Sequence, residues 1–160
     1  MKIIIILLSL ISFVSFTVIA ETNQQSPVQT LSPELRVLLK KEMNALQSAM
    51  NQIFIHFISG NTKEISDIAE QMKNSYILMQ NLTELQKKEL HHLPESFLEM
   101  DQKFHDLAGM LEHVAYNKNI DSIGFYYYKL VDTCMNCHAK HAQHRFPLLA
   151  KTKGKNSHGH

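Results

Sequence analysis

Apolar residues in this chain recur at steps of three and four and almost nowhere at steps of two. That period belongs to helices with one buried face, and it leaves little room for strands. Ser32-Pro33-Glu34 supplies an N-cap, a proline at the first helical position and an acid in the first turn. Behind it Leu35, Leu39, Met43, Leu46, Met50, Ile53 and Phe57 form the stripe of a long helix that Gly60 ends. Asn61 to Glu64 has the pattern of a capping box, and Ile65, Ile68, Met72, Tyr76 and Met79 carry a second stripe. Thr83 to His92 predicts a short helix with Thr83 and Gln86 as its cap pair, stopped by Pro94. Phe97, Met100, Phe104, Leu107, Leu111 and Val114 make the third long stripe, broken at Asn117 to Asn119. The fourth starts near Asp121 and runs through Ile123, Tyr127, Leu130, Cys134, Cys137 and His141. Met72, Met79, Met100 and Met110 are expected to face inward. Helices of about 20 to 27 residues, each about 30 to 40 Å long and joined by short turns, predict an all-α, antiparallel four-helix bundle.

The ends of the chain read differently. Lys2, the apolar run Ile3 to Ala20 and its small-residue close have the form of a secretory signal peptide. An uncleaved anchor is the competing reading, but the run is at the short limit for a bilayer and no basic cluster follows it. The expected organisation is a signal peptide at 1–20, a linker at 21–30, the bundle at 31–147 and a disordered tail at 148–160. The 160 residues hold 16 Lys and Arg against 15 Asp and Glu, so no global charge marks a nucleic-acid binder. After signal cleavage no membrane association is expected.

Two cysteines are too few for a disulfide scaffold, and their placement is specific. Cys134-Met135-Asn136-Cys137-His138 is C-x-x-C-H, the attachment signature of c-type haem. Each thiol adds across one haem vinyl group to form a thioether. The adjacent imidazole is thereby carried beneath the iron as an axial ligand. Random placement of two Cys among 160 positions gives this spacing about once in 80 trials, and a following His brings chance to roughly one in a thousand. Two core thiols facing inward by accident is the bland alternative. A thiol–disulfide C-x-x-C is another, but that motif sits at a helix N-terminus, where the helix lowers a thiol pKa. Here it falls near a helix C-terminus.

A four-helix chain with C-x-x-C-H near the end of its last helix resembles the cytochrome c′ family, including the six-coordinate cytochrome c-556 type. The resemblance spans roughly Leu31 to Arg145. It implies one covalent haem c per chain inside the bundle, with Cys134 and Cys137 as thioethers and His138 on the proximal side. It also implies a distal residue from the first helix, followed by apolar positions three, seven and ten residues later. Met43, Leu46, Met50 and Ile53 fit that spacing and put Met43 over the iron, with Met50 as the rival and ordinary core packing as the bland reading. The family usually carries a basic residue four positions after the proximal His. Here that position is Ala142, with Arg145 one turn on. A cavity between Met43 and Cys134 to His138 is therefore expected.

The reading that follows is a periplasmic mono-haem cytochrome that carries single electrons between redox protein partners. A Met/His-ligated iron leaves no open position for a substrate, so an enzyme is not expected. The alternative is a five-coordinate, nitric oxide-binding relative, and an outsider is a haem-free bundle using Cys and His for metal or thiol chemistry. Homodimers are common in the family, but no stripe marks such an interface here. Of the ten His, His141 and His144 suggest a polar surface at a frayed helix end or a metal site with His158 and His160. His105 and His113 read as boundary residues, His91 and His92 as a turn, and His56 as a minor distal candidate. Tyr127 is expected in the core, with Tyr126 and Tyr128 edging the haem or a subunit interface.

Overall fold

The structure, a computed structural model, describes residues 26–75 and 82–153. The expected signal peptide, residues 21–25 of the linker, Tyr76, Met79 and residues 154–160 lie outside that range. Among the described residues every regular element is helical. A 3-10 turn at Pro27–Gln29 precedes α1 (Pro33–Ile58), α2 (Thr62–Lys73), α3 (Glu84–His91), α4 (Glu95–Tyr116), α5 (Ile120–His141) and α6 (Pro147–Lys153). No helix among them is long and apolar enough to cross a membrane.

Several boundaries have the chemistry the sequence announces. Ser32 Oγ accepts from Leu35 N–H at 3.4 Å, with Pro33 opening α1. Thr83 and Gln86 close a reciprocal cap on α3, and Asn119 Oδ1 accepts from Ser122 N–H at 3.1 Å to cap α5. α1 ends in a Schellman turn. Asn61 N–H reaches His56 C=O at 2.9 Å, Gly60 N–H reaches Phe57 C=O at 3.1 Å, and Gly60 takes φ +72°. The same pair of bonds ends α4 through Asn119 and Lys118, but Lys118 holds φ +58° with a side chain attached.

Other expectations fail for local reasons. Asn61 precedes α2 but makes no side-chain cap, so the expected capping box does not form. α2 stops at Lys73, where Ser75 Oγ donates back to Met72 C=O at 2.8 Å and competes with helical continuation. Within the expected linker, Ser26 is buried and its hydroxyl donates to His141 C=O, so the chain before α1 is fastened to the end of α5. α6 occupies the start of the expected tail and packs on α5, so the C-x-x-C-H helix is not the last.

The main core gathers Leu46 and Ile53 from α1, Ile65, Ala69 and Met72 from α2, Phe104, Ala108 and Leu111 from α4, and Ile123 and Leu130 from α5. α2 packs most closely on α4, where Ala69 and Ala108 are fully buried and Gly109 lies under the Lys73 stem. α2 and α4 run in opposite directions, and the start of α4 lies against the end of α5. Ser66 Oγ donates to Glu112 C=O at 3.3 Å while Met72 C=O meets His105, and Phe97 meets His141. α1 and α5 touch only sparsely. A second cluster, Leu31, Leu35, Leu82, Leu90 and Leu93, closes the end of the molecule that carries α3.

The buried faces are turned slightly from the predicted stripes. α1 buries Leu35, Glu42, Leu46 and Ile53, leaving Met43 and Met50 half-buried at the flank. α4 buries Phe104, His105, Ala108, Leu111 and Ala115, and Met110 is 52% exposed rather than inward. Hydropathy follows large apolar residues, whereas close helix packing here chose small ones and two ionisable side chains. Tyr127 is half-buried, and Tyr128 is exposed.

Candidate haem-attachment site

Cys134, Cys137 and His138 lie in the last two turns of α5, all half-buried, and both cysteines are free thiols. An i, i+3 spacing puts the two sulfurs on one helical face, and Cys134 packs on the same core cluster that Met43 and Met50 touch from α1. Burial raises the pKa of both thiols. It pushes Cys137 up to about 11, with the charges of Asp101 and Cys134 adding to the effect. A thiol so disposed is a poor thiolate at neutral pH, which counts against thiol–disulfide exchange. Burial, with the Arg145 charge acting the same way, lowers the His138 pKa and favours the neutral imidazole that a metal requires. Arg145 therefore reaches the His138 imidazole electrostatically. The His138 ring lies flat against Phe146, with centroids 4.1 Å apart and an interplanar angle of 6°.

Around these residues the interior of the molecule changes character. His105, expected at a boundary, is 3% exposed, and its Nδ1–H donates to Met72 C=O at 2.9 Å. Its Nε2 lies 3.7 Å from the Asp101 carboxylate. Burial alone would lower the His105 pKa, but Asp101, the Met72 carbonyl and the charge of Glu42 outweigh it and raise the value. Glu42 is itself buried on α1. His141, expected at a frayed surface, is 3% exposed and meets Phe97 edge-on at 5.4 Å. Neither His141 ring nitrogen makes a hydrogen bond of normal geometry. Burial lowers its pKa, Lys140 adds to that, and the nearby Ser96 backbone opposes it. Glu42, Asp101 and Phe146 were not singled out from the sequence, and His105 was read only as a boundary residue. Glu42, Asp101 and His105 carried a usable signal, since each stands one residue from a predicted stripe position.

The remaining expectations divide. His144, His113, His91 and His92 are exposed, and His56 sits at the far end of α1 beside Asn61. Among the described residues no three His, Cys, Asp or Glu side chains converge to hold a metal ion, so His138, His141 and His144 do not form one. Two clefts among the described residues lie elsewhere. One runs along Leu90, Leu98, Gln102 and Asp106, the other along Lys73, Gly109, Glu112 and Tyr116. The cavity expected between Met43 and Cys134 to His138 is not one of them. The donor set, two free thiols followed directly by an imidazole, fits a covalent haem. Comparison of the chain with known protein families, with characterised proteins and with solved structures found no match.

Proposed function

We propose that this protein is an exported mono-haem c-type cytochrome of the cytochrome c′ kind, carrying single electrons between redox protein partners in the periplasm. In this reading α1, α2, α4 and α5 are an antiparallel four-helix bundle, and one haem c enters between α1 and α5. The supporting observation is the pair of free, half-buried thiols one turn apart on α5, followed directly by His138.

The haem iron, when bound, exchanges one electron between ferric and ferrous forms, and Met/His ligation favours a raised potential. The chain's own residues do the rest. Cys134 and Cys137 fix the macrocycle to α5, so its orientation survives partner encounters. His138 offers a neutral nitrogen, kept so by burial and by Arg145. Met43, at the flank of the buried face of α1, would offer a thioether as a further ligand. The apolar core around Leu46, Ile53 and Leu130 excludes water beyond the site.

Intact-mass measurement after expression with a cytochrome-maturation system tests the reading. A haem-sized mass increment that disappears in Cys134→Ala/Cys137→Ala is expected, and a wild-type chain with two reactive thiols and no increment would overturn it. The absorption spectrum of the holoprotein then separates the carrier from a five-coordinate nitric oxide-binding relative. A low-spin ferric spectrum supports Met43 ligation, and a high-spin one supports the relative.

A further inference from the structure

C-x-x-C-H names the proximal ligand but says nothing about what holds its ring. Phe146, eight residues later and beyond the end of α5, covers one face of the His138 imidazole. The two rings are nearly parallel, 6° apart, at a centroid distance of 4.1 Å. Phe146 is itself held in place. Its N–H donates to Ala142 C=O at 3.1 Å, and Arg145 N–H shares the same carbonyl at 2.9 Å. Its own carbonyl then accepts from Leu149 N–H at 3.1 Å as α6 begins at Pro147 and packs back on α5. The turn that returns Phe146 to His138 thus closes on Ala142, the position where the sequence departs from the family it resembles.

A nitrogen lone pair of an imidazole lies in the plane of the ring. Whatever fixes that plane therefore fixes the direction from which a metal is bound, and also which orbitals of the metal the ring overlaps. Rotating the His138 ring about its Cβ–Cγ bond would sweep it through the Phe146 ring, so the stack holds one ring plane. It also shields that ring face from water. Arg145, one residue earlier on the same turn, is delivered to His138 by the same backbone bonds.

We infer that Phe146 is a positioning residue for the proximal imidazole, fixing the plane of the His138 ring for the haem iron. The inference rests on the cytochrome reading above, and it concerns a residue that the attachment motif does not contain.

The full-length chain is compared as wild type, Phe146→Leu and Phe146→Tyr, each both haem-free and after maturation, with helix content checked by circular dichroism. In the haem-free chain, the His138 ring protons are expected upfield in the NMR spectrum of wild type and Phe146→Tyr. In Phe146→Leu that upfield displacement is lost. In the matured chain, the mass increment persists in all three. The ferric haem-methyl shifts and electron paramagnetic resonance g-values change in Phe146→Leu and are restored in Phe146→Tyr. Unchanged His138 ring protons in a folded Phe146→Leu chain would overturn the stack. Unchanged haem-methyl shifts in that variant would overturn the positioning role while leaving the cytochrome reading intact. A wild-type chain with no haem increment ends both, and the mass spectrum alone distinguishes that outcome.

Discussion

The same three long helices are built differently at their two ends. Toward the α1–α2 and α4–α5 turns, the inward positions are Ile53, Ile65, Leu111, Ile123 and Leu130, all fully buried and all apolar. Toward the other end, buried Leu35, Phe104 and Ala139 are interleaved with Glu42 on α1, Asp101 and His105 on α4, and Cys137 and His141 on α5. Burying ionisable groups is unfavourable unless they are paired, so a chain selected for stability alone has no reason to place them at one level of three helices. The C-x-x-C-H motif sits at that level. The contrast separates a half that holds the fold from a half that keeps chemistry available.

The sharpest way to break this division is to show that stability and attachment do not come apart. Leu130→Ala is expected to lower unfolding free energy by about 2 to 5 kcal/mol, because it opens a cavity in a well-packed apolar core. Haem attachment per folded chain should be unchanged. Cys137→Ala in the haem-free chain is expected to cost only about 1 kcal/mol, since a small apolar group replaces a thiol of similar character. The same substitution should abolish the second thioether. Urea unfolding and intact mass on both variants, with the shifted pyridine haemochrome band of a haem that keeps one free vinyl, check this, and the division fails if Leu130→Ala costs no more than Cys137→Ala.

The next comparison stays inside the polar half. Met43→Ala is expected to convert a low-spin ferric spectrum to a high-spin one, whereas Met50→Ala, a half-buried neighbour two turns along, leaves it low-spin. If the two variants exchange these outcomes, the ligand is Met50 and the family spacing has been misapplied by two turns.

How much of this was legible beforehand depends on what hydropathy can see. The third and fourth stripes predicted α4 and α5 almost to the residue, because turn residues at Pro94 and at Asn117 to Asn119 bounded them. The Cys134, Cys137 and His138 grouping was legible outright, since C-x-x-C-H is contiguous. The polar half was not. A pattern of large apolar residues passed over Glu42 in favour of Met43, and it assigned His105 to a boundary beside Phe104 and Leu107. Ionisable side chains are expected outside, and only their partners make them tolerable inside. For His105 the Met72 carbonyl is a tertiary fact, whereas Asp101, four residues earlier on the same helix, stood within reach of the sequence. Phe146 was invisible for the same reason: its contact with His138 depends on the chain folding back after α5.

The polar half should also carry the pH dependence of stability, with two histidines acting in opposite directions. His105 has its pKa raised above the ordinary histidine value of 6.5 in the folded state. Its contribution is fully present below that value and is lost as the pH rises through the folded value. Asp101 and Glu42 are the charges that face it, and the Met72 carbonyl holds its other nitrogen. His141 has its pKa lowered, so the folded state resists protonating it. That group withdraws stability as the pH falls below 6.5. In urea unfolding of the haem-free chain between about pH 5 and 8, His105→Gln should lose most against wild type at the acid end. His141→Phe should lose least there. A His105→Gln deficit that is constant across the range contradicts the assignment.

The smallest effect probes the apolar half alone, at its two turns. α1 and α4 both end in Schellman motifs, with matching hydrogen bonds of 2.9 Å from Asn61 to His56 and from Asn119 to Val114. The left-handed position is Gly60 in one and Lys118 in the other, at φ +72° and +58°. A side chain in that region is strained against its own backbone, and glycine is not. Lys118→Gly is therefore expected to stabilise the chain by about 0.5 to 1 kcal/mol, and Gly60→Ala to destabilise it by a similar amount. Lys118 is exposed and stands at the end of the molecule remote from Cys134 to His138, so neither the haem mass nor the ferric spectrum should move. If Lys118→Gly altered the spectrum, the two halves would be coupled through α4 and α5, and the separation of fold from chemistry would have to be given up.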